Sequence, residues 1–144
     1  MRLAFDRAVL RAFLCPVAGV AESETIAEVV RASSVCVLPL VAEEIDVDGE
    51  DAERRWRDTG FEEVHGDEFF NGCATGMAQR YLDYYPDPRD CRLVAEAECA
   101  KVDLLITFND DLINGLSDRI ETITITTPLG AVNRAGTKDP PSDS

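Results

Sequence analysis

The segment that most constrains this chain is DCRLVAEAECAKVDLLITFNDDL, residues 90–112. At its centre VDLLIT reads as a strand: it is too short for a helix and places Leu104, Leu105 and Ile106 in an unbroken apolar row. The residues before it read as a helix, with Asp87 as N-cap and Pro88 at the first helical position. Leu93, Val94 and Ala97 fall three, four and seven residues after Asp90, so Asp90 shares their inward face. A carboxylate there must be paired, hydrogen-bonded or bound to a cation, because burying an isolated charge is costly. Acids then return at Asp110 and Asp111, where the strand ends.

The same strand-then-helix alternation recurs along the chain. RLAF over 2–5 opens as a strand, Asp6 ends it, and AVLRAFL follows with helical spacing. A helix is predicted over 22–33, with Ile26, Val29 and Val30 on one face. SVCVL over 34–38 is β-branched and apolar, the signature of a strand buried on both faces. Pro39 then starts the helix LVAEEI. Residues 46–60 predict a polar helix around Trp56 lying on the outside. A longer helix is predicted over 68–84, with Phe69, Met77 and Tyr81 turned inward. IETITIT over 120–126 is the last predicted strand, and Thr127-Pro128 starts a short closing helix. Strands alternating with helices predict an α/β fold with a mostly parallel central sheet of four to five strands flanked by helices. One domain is expected over 1–133, with an aperiodic tail over 134–144.

Composition narrows the function. The chain has 144 residues, 45% of them hydrophobic, enough for one sizeable core. The longest uncharged run, over 122–133, falls short of the roughly 18 to 20 apolar residues of a membrane span. Arg2, Asp6, Arg7 and Arg11 interrupt any signal-peptide core, so a cytoplasmic protein is expected. The cysteine count is five, without a CxxC pair, and is read mainly as core thiols in a reducing compartment. With a single histidine, His65, a catalytic triad or a His-rich zinc site lacks its material. A formal charge of −14 repels a bare polyanion unless a local cation reverses the field. Neither GxGxxG nor GxxxxGK occurs.

What remains is a set of acids at one sheet edge. Asp6 follows the first strand, Glu44 lies in the helix after SVCVLP, Asp90 starts its helix and Asp111 follows VDLLIT. Parallel strands bring such positions together, and like charges that close need a cation. All-oxygen donors select hard ions, Mg²⁺ or Mn²⁺, which activate water and stabilise phosphoryl charge.

These segments resemble the PIN domain family of metal-dependent nucleases, which includes toxins of bacterial and archaeal toxin–antitoxin pairs. RLAFDRAVLRAFL is similar to the family's opening strand, aspartate and helix, and VCVLPLVAEEI to its strand and Glu-bearing helix. DCRLVAEAECAKVDLLITFNDDL is similar to its aspartate helix, strand and Thr-centred acidic turn, and ITITTPLGAV to its closing strand and last helix. The resemblance implies a three-layer PIN-like fold. It implies that Asp6, Glu44 in preference to Glu43, Asp90 and an acid of the Asn109–Asp111 turn, Asp111 or Asp110, hold Mg²⁺ or Mn²⁺, with Thr107 and Asn109 completing the catalytic set. Two departures stand out: Arg7 and Ala8 replace the polar residues usual after the first aspartate, and Asn109 stands where an aspartate is common. The implied activity is endoribonuclease, with RNA as substrate, a basic antitoxin as partner and a homodimer as assembly. The alternative is a PIN-like protein-binding module whose catalysis is weakened or lost.

Overall fold

The computed structural model describes residues 1–16 and 21–137. Five parallel strands form its sheet: β1 (Arg2–Phe5), β2 (Ser34–Val37), β3 (Glu62–Glu63), β4 (Leu104–Ile106) and β5 (Thr124–Thr126). Their spatial order is β3-β2-β1-β4-β5. Leu3 pairs with Val35 on one side and with Leu104 on the other, so β1 is the central strand. The chain builds outward from β1 to β3, then crosses back to add β4 and β5. That reversal makes the carboxyl ends of β1 and β4 a topological switch point, where α/β sheets open a crevice.

Among the described residues eight α-helices flank the sheet: α1 (Arg7–Leu14), α2 (Ala21–Arg31), α3 (Pro39–Asp48), α4 (Asp51–Arg54), α5 (Glu68–Tyr81), α6 (Pro88–Cys99), α7 (Asp110–Leu116) and α8 (Pro128–Thr137). Helices α1, α2 and α8 pack in one group, and α3, α5 and α6 in another. The α/β expectation holds, with five strands and no antiparallel pair among the described residues.

Local chemistry explains where most helices begin. Asp6 accepts from the Arg7 amide, Asp67 from that of Phe70, Asp87 from that of Asp90 and Asn109 from that of Leu112, each offsetting an otherwise unpaired first-turn donor. Helix α6 ends with Lys101 in the left-handed region at φ 59° and the Val102 amide donating to the Ala97 carbonyl. Its inward face, Leu93, Val94 and Ala97, is fully buried. Each large aliphatic side chain so placed contributes about 1.5–3 kcal/mol.

Five expectations are corrected. Trp56 is 1% exposed, because α4 and the 3₁₀ turn Arg55–Asp58, packed against α1, turn its indole into the core instead of laying a polar helix outside. Phe69 is 82% exposed; on α5 the inward position falls to Ala74. The strand β3 is an unforeseen edge of two exposed glutamates. Helix α8 continues to Thr137, into the stretch expected to be tail, while 138–144 lie outside the described residues. Of the five thiols only Cys36 and Cys91 are buried, and Cys73 is exposed.

Candidate functional site: a carboxylate cluster around Arg89

Asp6 stands directly after β1. Its amide donates to the Ile106 carbonyl at 2.9 Å, tying it to the end of β4. Its Oδ2 accepts from the Thr107 hydroxyl at 2.9 Å, and its Oδ1 accepts from the Arg7 amide at 2.7 Å. The polar support that Arg7 and Ala8 cannot give through side chains thus comes from the backbone and from Thr107. The Arg7 guanidinium turns away to the buried Glu53 at 2.9 Å and to Asp48 at 2.7 Å. The bond from Arg7, helped by the Glu50 amide and opposed by burial, holds the Glu53 carboxyl below its usual range.

Thr107 is completely buried and serves two neighbours. Besides donating to Asp6 it accepts from the Asn109 amide at 3.1 Å. The Asn109 Nδ2 donates to Asp90 Oδ2 at 3.1 Å, while its Oδ1 caps α7 by accepting from the Leu112 amide at 3.2 Å. The Tyr85 hydroxyl approaches the same Asp90 oxygen at 3.4 Å. Asp90 is 5% exposed, and burial, reinforced by the charges of Asp87 and Asp6 and opposed by Arg89, pushes its carboxyl above the ordinary aspartate value. The Tyr85 phenol is raised as well, first by burial, with the nearby Asp90 charge adding to it.

Helix α3 presents Glu44 to this point, while its neighbour Glu43 is exposed. The buried Glu96 sets the entry of α3, accepting from the Leu40 amide at 2.8 Å and pairing with Arg92 at 2.8 Å.

The three acids meet at Arg89. Its Nη1 donates to Asp6 Oδ1 at 2.9 Å and to Asp90 Oδ1 at 3.1 Å. Its Nε and Nη2 grip Glu44 in a fork at 3.0 and 2.7 Å. Burial works against the charge of Arg89, but the bond to Glu44 and the charge of Asp6 outweigh it and hold the guanidinium more firmly protonated. A cleft of about 400 Å³ opens here, lined by Asp6, Arg11, Glu44, Arg89, Asp90 and Asn109 among others.

The structure therefore brings together Asp6, Glu44, Asp90, Thr107 and Asn109. It does not bring Asp111, which is exposed on α7 and outside the lining of the cleft; Asn109 takes the position nearest Asp90. Arg89 carried one signal in the sequence: a cation in the first turn of a helix opposes the helix dipole, and only neighbouring acids explain it. Tyr85 and Glu96 carried none, since their partners lie on other segments.

Among the described residues no helix is long and apolar enough to cross a membrane. No protein-family model matches the sequence, and no curated protein does. Among solved structures the chain is similar to one in the crystal structure of VapBC2 from Rickettsia felis bound to a DNA fragment from their promoter, with a TM-score of 0.61 and 10% identity, over 87% of this chain and 97% of that one. At that identity the likeness is one of fold: a five-stranded parallel sheet between helices, in the PIN-like arrangement.

Proposed function

We propose that the chain is a metal-dependent endoribonuclease of the PIN type that hydrolyses RNA phosphodiester bonds. The observation that supports this reading most is the convergence of Asp6, Glu44 and Asp90 on one point at the sheet's switch point. Acids held so close require a cation, and an all-oxygen donor set suits Mg²⁺ or Mn²⁺. In their present spacing the acids fit a guanidinium: no three His, Cys, Asp or Glu side chains among the described residues are grouped to hold an ion. The donor chemistry fits the ion, while the spacing, with Arg89 seated among the acids, fits the guanidinium.

Asp6, Glu44 and Asp90 would hold the ion. Bound there, it supplies Lewis-acid stabilisation of phosphoryl charge and a water of lowered pKa. The chain's own residues do the positioning. Thr107 fixes Oδ2 of Asp6, and Asn109 with Tyr85 fixes Oδ2 of Asp90; the Oδ1 of each accepts from Arg89, and that of Asp6 also from the Arg7 amide. Arg11, exposed at the cleft and paired with Glu50 at 3.2 Å, would meet the phosphodiester.

The test is cleavage of single-stranded and structured RNA in Mn²⁺ and in Mg²⁺, comparing wild type with Asp6→Ala and Asp90→Asn. Loss of at least about a hundredfold in either variant is expected. Cleavage that survives both substitutions, or its absence from wild type in both metals, refutes the reading.

A toxin-like role with a basic antitoxin partner is proposed on the same basis: the two-component VapBC2 neighbour and the charge of −14 support it. A homodimer follows by resemblance, and light scattering tests it. Two observations favour the second reading, a catalytically silent protein-binding module. Arg89 already neutralises part of the cluster, and Asn109 offers it an amide where an acid would add charge.

A further inference from the structure

We propose that Arg89 is a tethered counter-cation that occupies the carboxylate cluster and competes with a divalent ion for it, so that the ion binds by displacing the guanidinium toward the mouth of the cleft. This rests on reading the cluster as a metal site.

The geometry is that of a competitor. All three guanidinium nitrogens are engaged, and together they reach all three acids at 2.7–3.1 Å. The guanidinium thus fills the point on which the acids converge. Formally, three carboxylates facing one guanidinium leave the cluster two negative charges in excess, the charge of one divalent ion. Loading such an ion while Arg89 stays close by therefore brings the site to neutrality.

The acids nearest the sheet do not need Arg89 to hold their places. Asp6 is fixed by Thr107 and by the Arg7 amide, and Asp90 by Asn109 and Tyr85, through bonds that survive its departure. Glu44 is different: Arg89 grips both its oxygens, and its side chain is 26% exposed, so it is the ligand that re-aims. Arg89 can leave, too. Its side chain is 31% exposed, it borders the cleft, and its place in the first turn of α6 sets it against the helix dipole, so the acids alone retain it.

Calorimetric titration of the full chain with Mn²⁺ tests this on wild type, Arg89→Ala and Arg89→Gln, the last a neutral side chain of similar length that guards against failure to fold. Both variants are expected to bind Mn²⁺ at least about tenfold more tightly than wild type, the worth of one charged hydrogen bond. Adding Asp90→Asn to Arg89→Gln should erase the gain. Melting gives the second readout: in EDTA the Arg89 variants melt below wild type, and saturating Mn²⁺ narrows or reverses the gap. Equal or weaker Mn²⁺ binding in the variants, or a melting deficit that Mn²⁺ leaves unchanged, overturns the proposal and leaves the metal site standing. Absence of Mn²⁺ binding from every chain overturns both.

Discussion

Replacing Thr107 by valine removes one hydroxyl and keeps the shape of the side chain. That hydroxyl is completely buried, donates to Asp6 Oδ2 at 2.9 Å and accepts from the Asn109 amide at 3.1 Å. A hydrogen bond to a charged group contributes about 1.5–3 kcal/mol, and the amide's partner about 1 kcal/mol. Against this, valine buries one more methyl, worth about 0.8 kcal/mol. Asp6 also keeps its bonds to Arg89 and to the Arg7 amide, which moderates its loss. The net expectation is a destabilisation of about 2 kcal/mol, or roughly 6–8 °C in melting temperature for a chain of this size. Thr107→Ser keeps the hydroxyl and loses a buried methyl, about 1 kcal/mol. Urea unfolding followed by circular dichroism should rank wild type above serine and serine above valine. A double-mutant cycle between Thr107→Val and Asp6→Asn should return a coupling of about 1 kcal/mol or more. Valine as stable as serine, or a coupling within about 0.3–0.5 kcal/mol of zero, refutes the assignment of Thr107 as the support of Asp6.

Asp90, raised above the ordinary aspartate value by burial, favours the folded chain when protonated. That contribution is complete below the unfolded value and is lost as pH rises through the folded one. The stability of Asp90→Asn relative to wild type in EDTA should therefore increase from about pH 4 to pH 7, and a decrease in urea midpoints over that range contradicts it. Gly115→Ala would place a Cβ 2.6 Å from Tyr85 Cδ1. The gain of about 1 kcal/mol in helix propensity should be outweighed by overpacking of about 1–3 kcal/mol, and a higher melting temperature would show the Tyr85 ring is not confined there. Lys101→Gly, at φ 59°, should stabilise by about 0.5–1 kcal/mol, and a lower urea midpoint would show that the lysine side chain matters more than its backbone.

The parts of this fold that could be read from the sequence are those with local causes. Asp87-Pro88 announces α6 through capping chemistry, Pro39 announces α3, and the apolar rows of β1, β2 and β4 announce a parallel sheet. Asp6, Glu44 and Asp90 were within reach because strand ends and helix faces can be inferred from periodicity. Trp56 could not be, since its burial depends on how a 3₁₀ turn folds a charged segment back onto the core, and charge density alone suggests an outer helix. Phe69 misled for the opposite reason: its position on α5 faces solvent despite its apolar ring. The fourth acid misled because Asn109 and Asp111 differ by about half a turn of helix, and the turn after β4 uses Asn109 as the cap of α7, which swings Asp111 outward. Arg89 has partners on β1's exit, α3 and its own helix, a combination that exists only after folding.

Arg89 and Asp90 are consecutive residues, so the counter-ion is delivered by the same helical turn that delivers the charge it offsets. A cation joined to its site by covalent bonds is present at an effective concentration that dilution, chelators and ionic strength do not change. The cluster can then assemble in a chain that has met no metal, unlike domains whose folding free energy is the binding free energy of their ion. Folding and loading become separate events: EDTA should leave the secondary structure intact, and the occupancy of the cluster should follow the free metal concentration in a chain that is already folded.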